Sequence, residues 1–173
     1  MNAEDLKALQ APLKDRYRAD KDAALITLSA RGSIEEAGVA CKIETGRAIA
    51  AVAGLHPATG GSGLELCSGD LLLEALVACA GVTLKAVSTA LSIPLTTAIV
   101  RAEGDLDFRG TLGVEKSAPV GFAEIRLAFD IDSPATHDQI DQLLRLTERY
   151  CVVYQTLKGG TPVSVGVVRT AAR

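Results

Sequence analysis

The residues best placed for chemistry are two cysteines far apart in the chain, each inside a strongly apolar segment of helical length. Cys79 lies in LLLEALVACAGVTLKAV and Cys151 in LLRLTERYCVVYQTL. A free cysteine in such a setting is ordinarily a small core residue. If the two helices lie side by side, two thiols meet in an apolar pocket. Such a pair can reduce a hydroperoxide, one sulfur attacking and the other resolving. The attacking sulfur must be a thiolate. Apolar burial raises a thiol pKa, so the site calls for a positive neighbour. Arg149 is near Cys151, Lys85 shares the Cys79 segment, and Arg31 and Arg47 come from the region of the first strands. The residue pattern leaves that choice open.

The elements that must position these thiols read as follows. Residues 4–19 have helical spacing at Leu6, Leu9, Leu13 and Tyr17, with Pro12 as a possible break, and suggest an arm on a partner surface. Residues 23–31 and 38–45 alternate in polarity like strands, with a turn between them, and 47–54 suggests a third strand. The Gly-, Ser- and Pro-rich stretch LHPATGGSGLELCSGD is expected to be a loop. A helix is expected from about Asp70 to Leu91, capped by Ser68 or Asp70, with Pro94 closing the segment. It is apolar on nearly every side, as a fully buried helix would be. Residues 97–108 and 121–131 read as strands. A second helix is expected from about Pro134 to Leu157, capped by Ser133 and ended by Gly159 and Gly160, with a last strand in TPVSVGVV. Strands in separate groups with few crossover helices predict an α+β fold with antiparallel sheet. One small sheet cannot cover the central helix, so a second subunit is expected to do so. The division is a helical arm over 1–22 and one domain over 23–173.

Composition narrows the function. The chain has 173 residues and 48% hydrophobic content, enough for a sizeable core. Its net charge of -3 argues against nucleic acid as partner. No apolar run approaches the roughly 18 residues of a membrane helix without an interrupting charge, so no membrane is expected. MNAEDLKALQ lacks the basic start and apolar stretch of a secretory signal, which predicts a cytoplasmic protein. Four cysteines there do not read as a disulfide scaffold, and without close CxxC spacing a structural zinc is not expected. HPATGGSG lacks the Lys-Ser/Thr ending of a phosphate-binding loop. His56 reads as a solvated loop residue, His137 as an exposed early helix residue and Cys41 as strand packing. Cys67 lies too far down the helix from Cys79 to bond with it within one subunit, at about 1.5 Å of rise per residue.

The stretch ATGGSGLELCSGDLLLEALVACAG resembles the region around the first cysteine of OsmC/Ohr proteins, a family of osmotically inducible and organic hydroperoxide resistance proteins. ERYCVVYQTL, followed by a short loop and a Val-rich segment, resembles their second cysteine region, and the resemblance spans about residues 24–168. It implies an intertwined homodimer with antiparallel sheets wrapped around long central helices. It also implies reduction of organic hydroperoxides without a cofactor. On that pattern Cys79 is oxidised to a sulfenic acid, Cys151 condenses with it to a disulfide, and a dithiol, often a lipoylated protein, restores the pair.

Two departures from the family pattern stand out. The helix start usually carries a glutamate ten residues before the first cysteine. Here Gly69 holds that place and Asp70 follows it, either orienting an arginine or only complementing the helix N-terminus. The second cysteine is commonly followed by proline, and here by Val152. The activating arginine comes from the first hairpin, where Arg31 is the nearest match and Arg47 the alternative. Two other readings stand beside peroxidase: a catalytically weak dimer binding an apolar small molecule, and an interaction protein whose cysteines only pack.

Overall fold

A computed structural model describes residues 1–34, 39–44 and 50–167. The element that organises it is α2 (Ser68–Ala90), a 23-residue helix. Its mean hydropathy of 1.8 over an 18-residue window equals that of a membrane span. Here, however, one stripe is buried within the chain: Leu76, Ala80, Leu84 and Ser88, spaced by four. That spacing places them one above another on a single face. The stripe packs on the hairpin of β5 (Thr97–Leu106) and β6 (Phe122–Asp132), an antiparallel pair with one irregularity at Asp105/Leu106. Alternation along β5 and β6 turns Val100, Ala102, Ile125, Leu127 and Phe129 toward α2.

The second apolar segment is two helices, not the continuous one expected. α4 (His137–Tyr150) and α5 (Val152–Gly159) are separated by Cys151, whose backbone is extended (φ -74, ψ 108). The Gln155 side-chain amide donates to the Glu148 carbonyl at 2.7 Å, satisfying an acceptor near the break. α4 starts on a capping box between Thr136 and Gln139, so Thr136 is its cap; Ser133 instead accepts from the Ala135 N–H at 3.1 Å. Gly160, at φ 59, ends α5 as expected. Similarly, α2 begins after Cys67, which makes no side-chain cap bond, with Ser68 and Asp70 already inside its first turn.

A second sheet runs β1 (Arg31–Ile34), β2 (Ala40–Glu44), β3 (Ala50–Gly54) and β4 (Leu66–Cys67). β1 to β3 are antiparallel neighbours and β3 pairs with β4 in parallel, the one exception to the antiparallel expectation among the described strands. Residues 25–30 and 161–167 are expected to be strands but form no ladder; Leu25, Leu28, Val163, Val165 and Val167 are all exposed. An N-terminal helix, α1 (Ala3–Ala19), runs through Pro12 without a break and lies on α2. A one-turn helix, α3 (Phe108–Thr111), sits between β5 and β6.

Gly104 on β5 lets the Phe122 ring lie flat across the strand, since a Cβ there would sit 2.5 Å from two ring atoms. Gly104→Ala should therefore lower stability by about 1–3 kcal/mol through overpacking, read as a lower denaturant midpoint at unchanged slope. An unchanged midpoint would show that Phe122 moves aside freely.

Candidate functional site

The two cysteines meet. Buried Cys151 forms a core cluster with Leu76 and Ala80, and Cys79, Val153 and Tyr154 pack against it. The local reason is simple: Cys79 adjoins Ala80 on the buried stripe of α2, and the extended residue between α4 and α5 turns Cys151 toward that stripe. The small Ala80, fully buried, packs directly against Cys151. Both thiols are free.

The electrostatics divide the pair. Burial acts to raise the Cys79 pKa. The Val153 N–H, the Cys151 thiol, the Val152 N–H and the Thr83 hydroxyl outweigh it, so Cys79 titrates below its ordinary value. Burial also raises Cys151, and there it prevails: the amides of Tyr154 and Val153 lower it, but the hydrogen bond and charge of Cys79 push it further up. The arrangement favours a thiolate at 79 beside a thiol at 151. Thr83 Oγ1 is 2.7 Å from the Cys79 carbonyl, so its single proton serves either that oxygen or the sulfur.

No described side-chain cation acts on Cys79. Arg31 lies on β1, 79% exposed and 3.7 Å from Glu44. Arg149 lies over the Tyr150 ring, 5.6 Å from its centroid, and Lys85 is exposed. Arg47 lies outside the described residues. Asp70 is exposed in the first turn of α2, nine residues before Cys79 and hence about 13 Å away along the helix. The structure thus brings Cys79 and Cys151 together within one subunit, but not Arg31 or Asp70. Sequence reasoning missed the amides of Val152 and Val153 because they act only where the helix breaks. Thr83, four residues after Cys79, was readable as a neighbour on the same helix face.

Beside the thiols is a cavity of about 560 Å³ lined by Leu76, Phe122, Ile125, Leu127, Phe129 and Tyr154, with Glu124, Glu148 and Lys158 as its charged groups. Five of these apolar residues also pack around the thiol pair. A separate cavity near the start of α2 is lined by His56, Cys67, Asp70 and Phe108; His56 stacks on Phe108 at 4.9 Å, and its Nδ1 accepts from the Ala58 N–H. Cys41 packs against Gly32 across the β1–β2 ladder.

This is a mixed α+β protein in which Cys79 on the long helix α2 meets Cys151 at the junction of α4 and α5. The OsmC-like protein family matches residues 60–166, more than half of the chain, and the chain belongs to that family. No curated protein sequence matches it. Among solved structures, the OsmC-like protein from Mycoplasma pneumoniae is similar at a TM-score of 0.63 and 19% identity, over 78% of this chain and 89% of that one. An organic hydroperoxide resistance protein from Elizabethkingia anophelis gives 0.60 and 18%, over 78% and 90%. The Legionella pneumophila organic hydroperoxide resistance protein OsmC gives 0.59 and 16%, over 78% and 91%. At these identities the structures establish the shared fold.

The pairing generates a test. Cys151→Ala removes a donor to the Cys79 sulfur, whereas Cys151→Ser keeps one. Alkylation of Cys79, followed peptide by peptide against pH, should shift to higher pH in the alanine variant and less in the serine variant. Indistinguishable profiles would show that the thiol contact does not stabilise the thiolate.

Proposed function

We propose that this protein is a cysteine-based thiol peroxidase that reduces organic hydroperoxides. The observation that carries the reading is the contact between a thiol shifted toward thiolate and a second one kept protonated. The Cys79 thiolate attacks the outer peroxide oxygen, the O–O bond breaks, and the departing alkoxide takes the Cys151 proton to leave as an alcohol. Cys79 is now a sulfenic acid. The Cys151 thiolate attacks its sulfur, expelling hydroxide and forming the disulfide. A dithiol, such as a lipoyl protein, then reduces the disulfide by two electrons. The apolar cavity beside the thiols suits an organic peroxide. It equally supports the second reading, a catalytically weak dimer that binds an apolar small molecule.

The reading includes a homodimer. One subunit exposes 13174 Å², against roughly 8,000 Å² for a compact monomer of its 18.0 kDa mass. Val82 on the outer face of α2 is 73% exposed, and the unpaired segments around Leu28 and Val165 are 88% and 92% exposed at those residues. Monomers rarely leave so much apolar surface uncovered, and a two-fold pairing is the commonest remedy. In such a dimer the β1 hairpin of one subunit can lie on its partner. Arg31 would then reach a thiol pair it does not touch in its own chain, with Asp70 as its orienting carboxylate. The proposed setting is the cytoplasm.

Titrating free thiols with one equivalent of cumene hydroperoxide should consume two thiols per subunit rapidly. Cys79→Ser should abolish turnover, and Cys151→Ser should react once and accumulate over-oxidised Cys79. Slow or absent thiol loss favours the binding reading, and near-normal turnover in Cys79→Ser overturns the assignment of roles.

Light scattering at low micromolar concentration should find a dimer with an interface above roughly 2,000 Å². A stable particle at the mass of one chain would refute the shared site. In that dimer, Arg31→Met should shift the pH profile of Cys79 alkylation upward; an unchanged profile moves attention to Arg47.

A further inference from the structure

We infer that the cavity beside the thiols selects by charge: Tyr154 ties Glu148 to Lys158 at its wall, so the cavity takes uncharged apolar molecules and turns carboxylates away. The inference rests on the peroxidase reading for its substrate, and it narrows that substrate to uncharged hydroperoxides over those that carry an acid group. The walls set the first condition. The chain has three Phe and three Tyr, and half of these, Phe122, Phe129 and Tyr154, line this one cavity. Its volume of about 560 Å³ suits a small molecule, and in such sites a few polar groups on apolar walls decide what is accepted. The charged groups here are Glu124, Glu148 and Lys158, two carboxylates against one ammonium. An anion entering an apolar cavity loses its hydration and needs a free cation in exchange.

The one cation on that lining is already held. Lys158 Nζ donates to the Tyr154 hydroxyl at 3.5 Å and lies 5.4 Å from the centre of the same ring. That hydroxyl in turn donates to Glu148 Oε2 at 3.3 Å. Glu148 is near the end of α4, and Tyr154 and Lys158 are one turn apart on α5, so the three side chains bridge the break between the helices. Glu124 is offset by Arg126, whose Nη1 is 3.0 Å from its Oε2 and which does not line the cavity. A carboxylate brought to Lys158 therefore meets Glu148 as well, and among the described residues no second cation on the lining outweighs it. An uncharged molecule disturbs none of these contacts. The Tyr154 ring also packs on the cluster around Cys151, so the residue that ties the charges together touches the thiol site directly.

Two probes of one skeleton test this, 4-phenylbutan-1-ol and 4-phenylbutanoate, uncharged and anionic at neutral pH. Each is titrated into the intact, reduced protein and followed by the NMR signals of Leu127 and Tyr154, which report this cavity alone. The alcohol should bind more tightly, by about tenfold. The decisive variant is Glu148→Gln, which keeps an acceptor for the Tyr154 hydroxyl and removes only the charge. There the carboxylate should bind about three- to tenfold more tightly, the factor for one partly screened charge, with the alcohol unchanged. Tyr154→Phe, which keeps the ring and releases Lys158, should move the carboxylate in the same direction. Lys158→Met should weaken it. Equal affinity of the two probes for the unaltered protein overturns the inference. So does a gap that is the same in the unaltered protein and Glu148→Gln, or the failure of both probes to shift these signals. Neither probe is a peroxide. Peroxide turnover without a charge gap leaves the peroxidase reading standing and sinks this one, and a charge gap without turnover does the reverse.

Discussion

The break in the helix at Cys151 is the constraint on which the site depends. A continuous helix from 137 to 159 would have its amides at 152 and 153 bonded to carbonyls four residues earlier. One extended residue frees them and places Cys151 against Ala80 and Leu76, with Cys79 packed on the same cluster. The cost of the break is limited by the Gln155 amide on the Glu148 carbonyl, and by the Cys151 N–H, which still reaches the Thr147 carbonyl at 2.9 Å. Thr147, fully buried, turns its hydroxyl onto the Leu143 carbonyl, so this end of α4 buries no unpaired polar group.

Activation of the thiol follows from the same geometry. Burial in an apolar cluster disfavours a thiolate, and a lone thiol here would be inert. Amides and a neighbouring thiol reverse the balance for Cys79, while for Cys151 burial and its partner's charge add to one another. Two residues of the same type thus titrate in opposite directions from their ordinary value through their positions around one helix junction. The cavity walled by Phe129, Leu127 and Tyr154 shares those side chains with the packing around Cys151.

The periphery obeys another rule. α2 buries Leu76, Ala80, Leu84 and Ser88 within its own chain and leaves Val82 and much of the opposite face uncovered. The valines at 163, 165 and 167 alternate as a strand would but pair with no strand among the described residues. A pattern that is right for a strand becomes one only when a second ladder is supplied. This is why the outer segments look unfinished while the centre is well packed.

The sequence by itself determined the α+β class, the family, the long apolar helix, the strands β5 and β6 and the two cysteines that the fold packs together, because periodicity and residue type are local properties. The antiparallel expectation holds except where β3 meets β4, and the glycines at 159 and 160 end the last helix as read. Only the tertiary structure decided that the second helix is two, that Thr136 and not Ser133 caps its first part, and that Cys79 packs against Cys151 where the two meet. It also separated Arg31 and Asp70 from the thiols of their own chain. The physical reason is that backbone amides carry no residue identity. Any residue but proline supplies one, so no motif announces it, and its charge counts only where packing has freed it and aimed it at a sulfur.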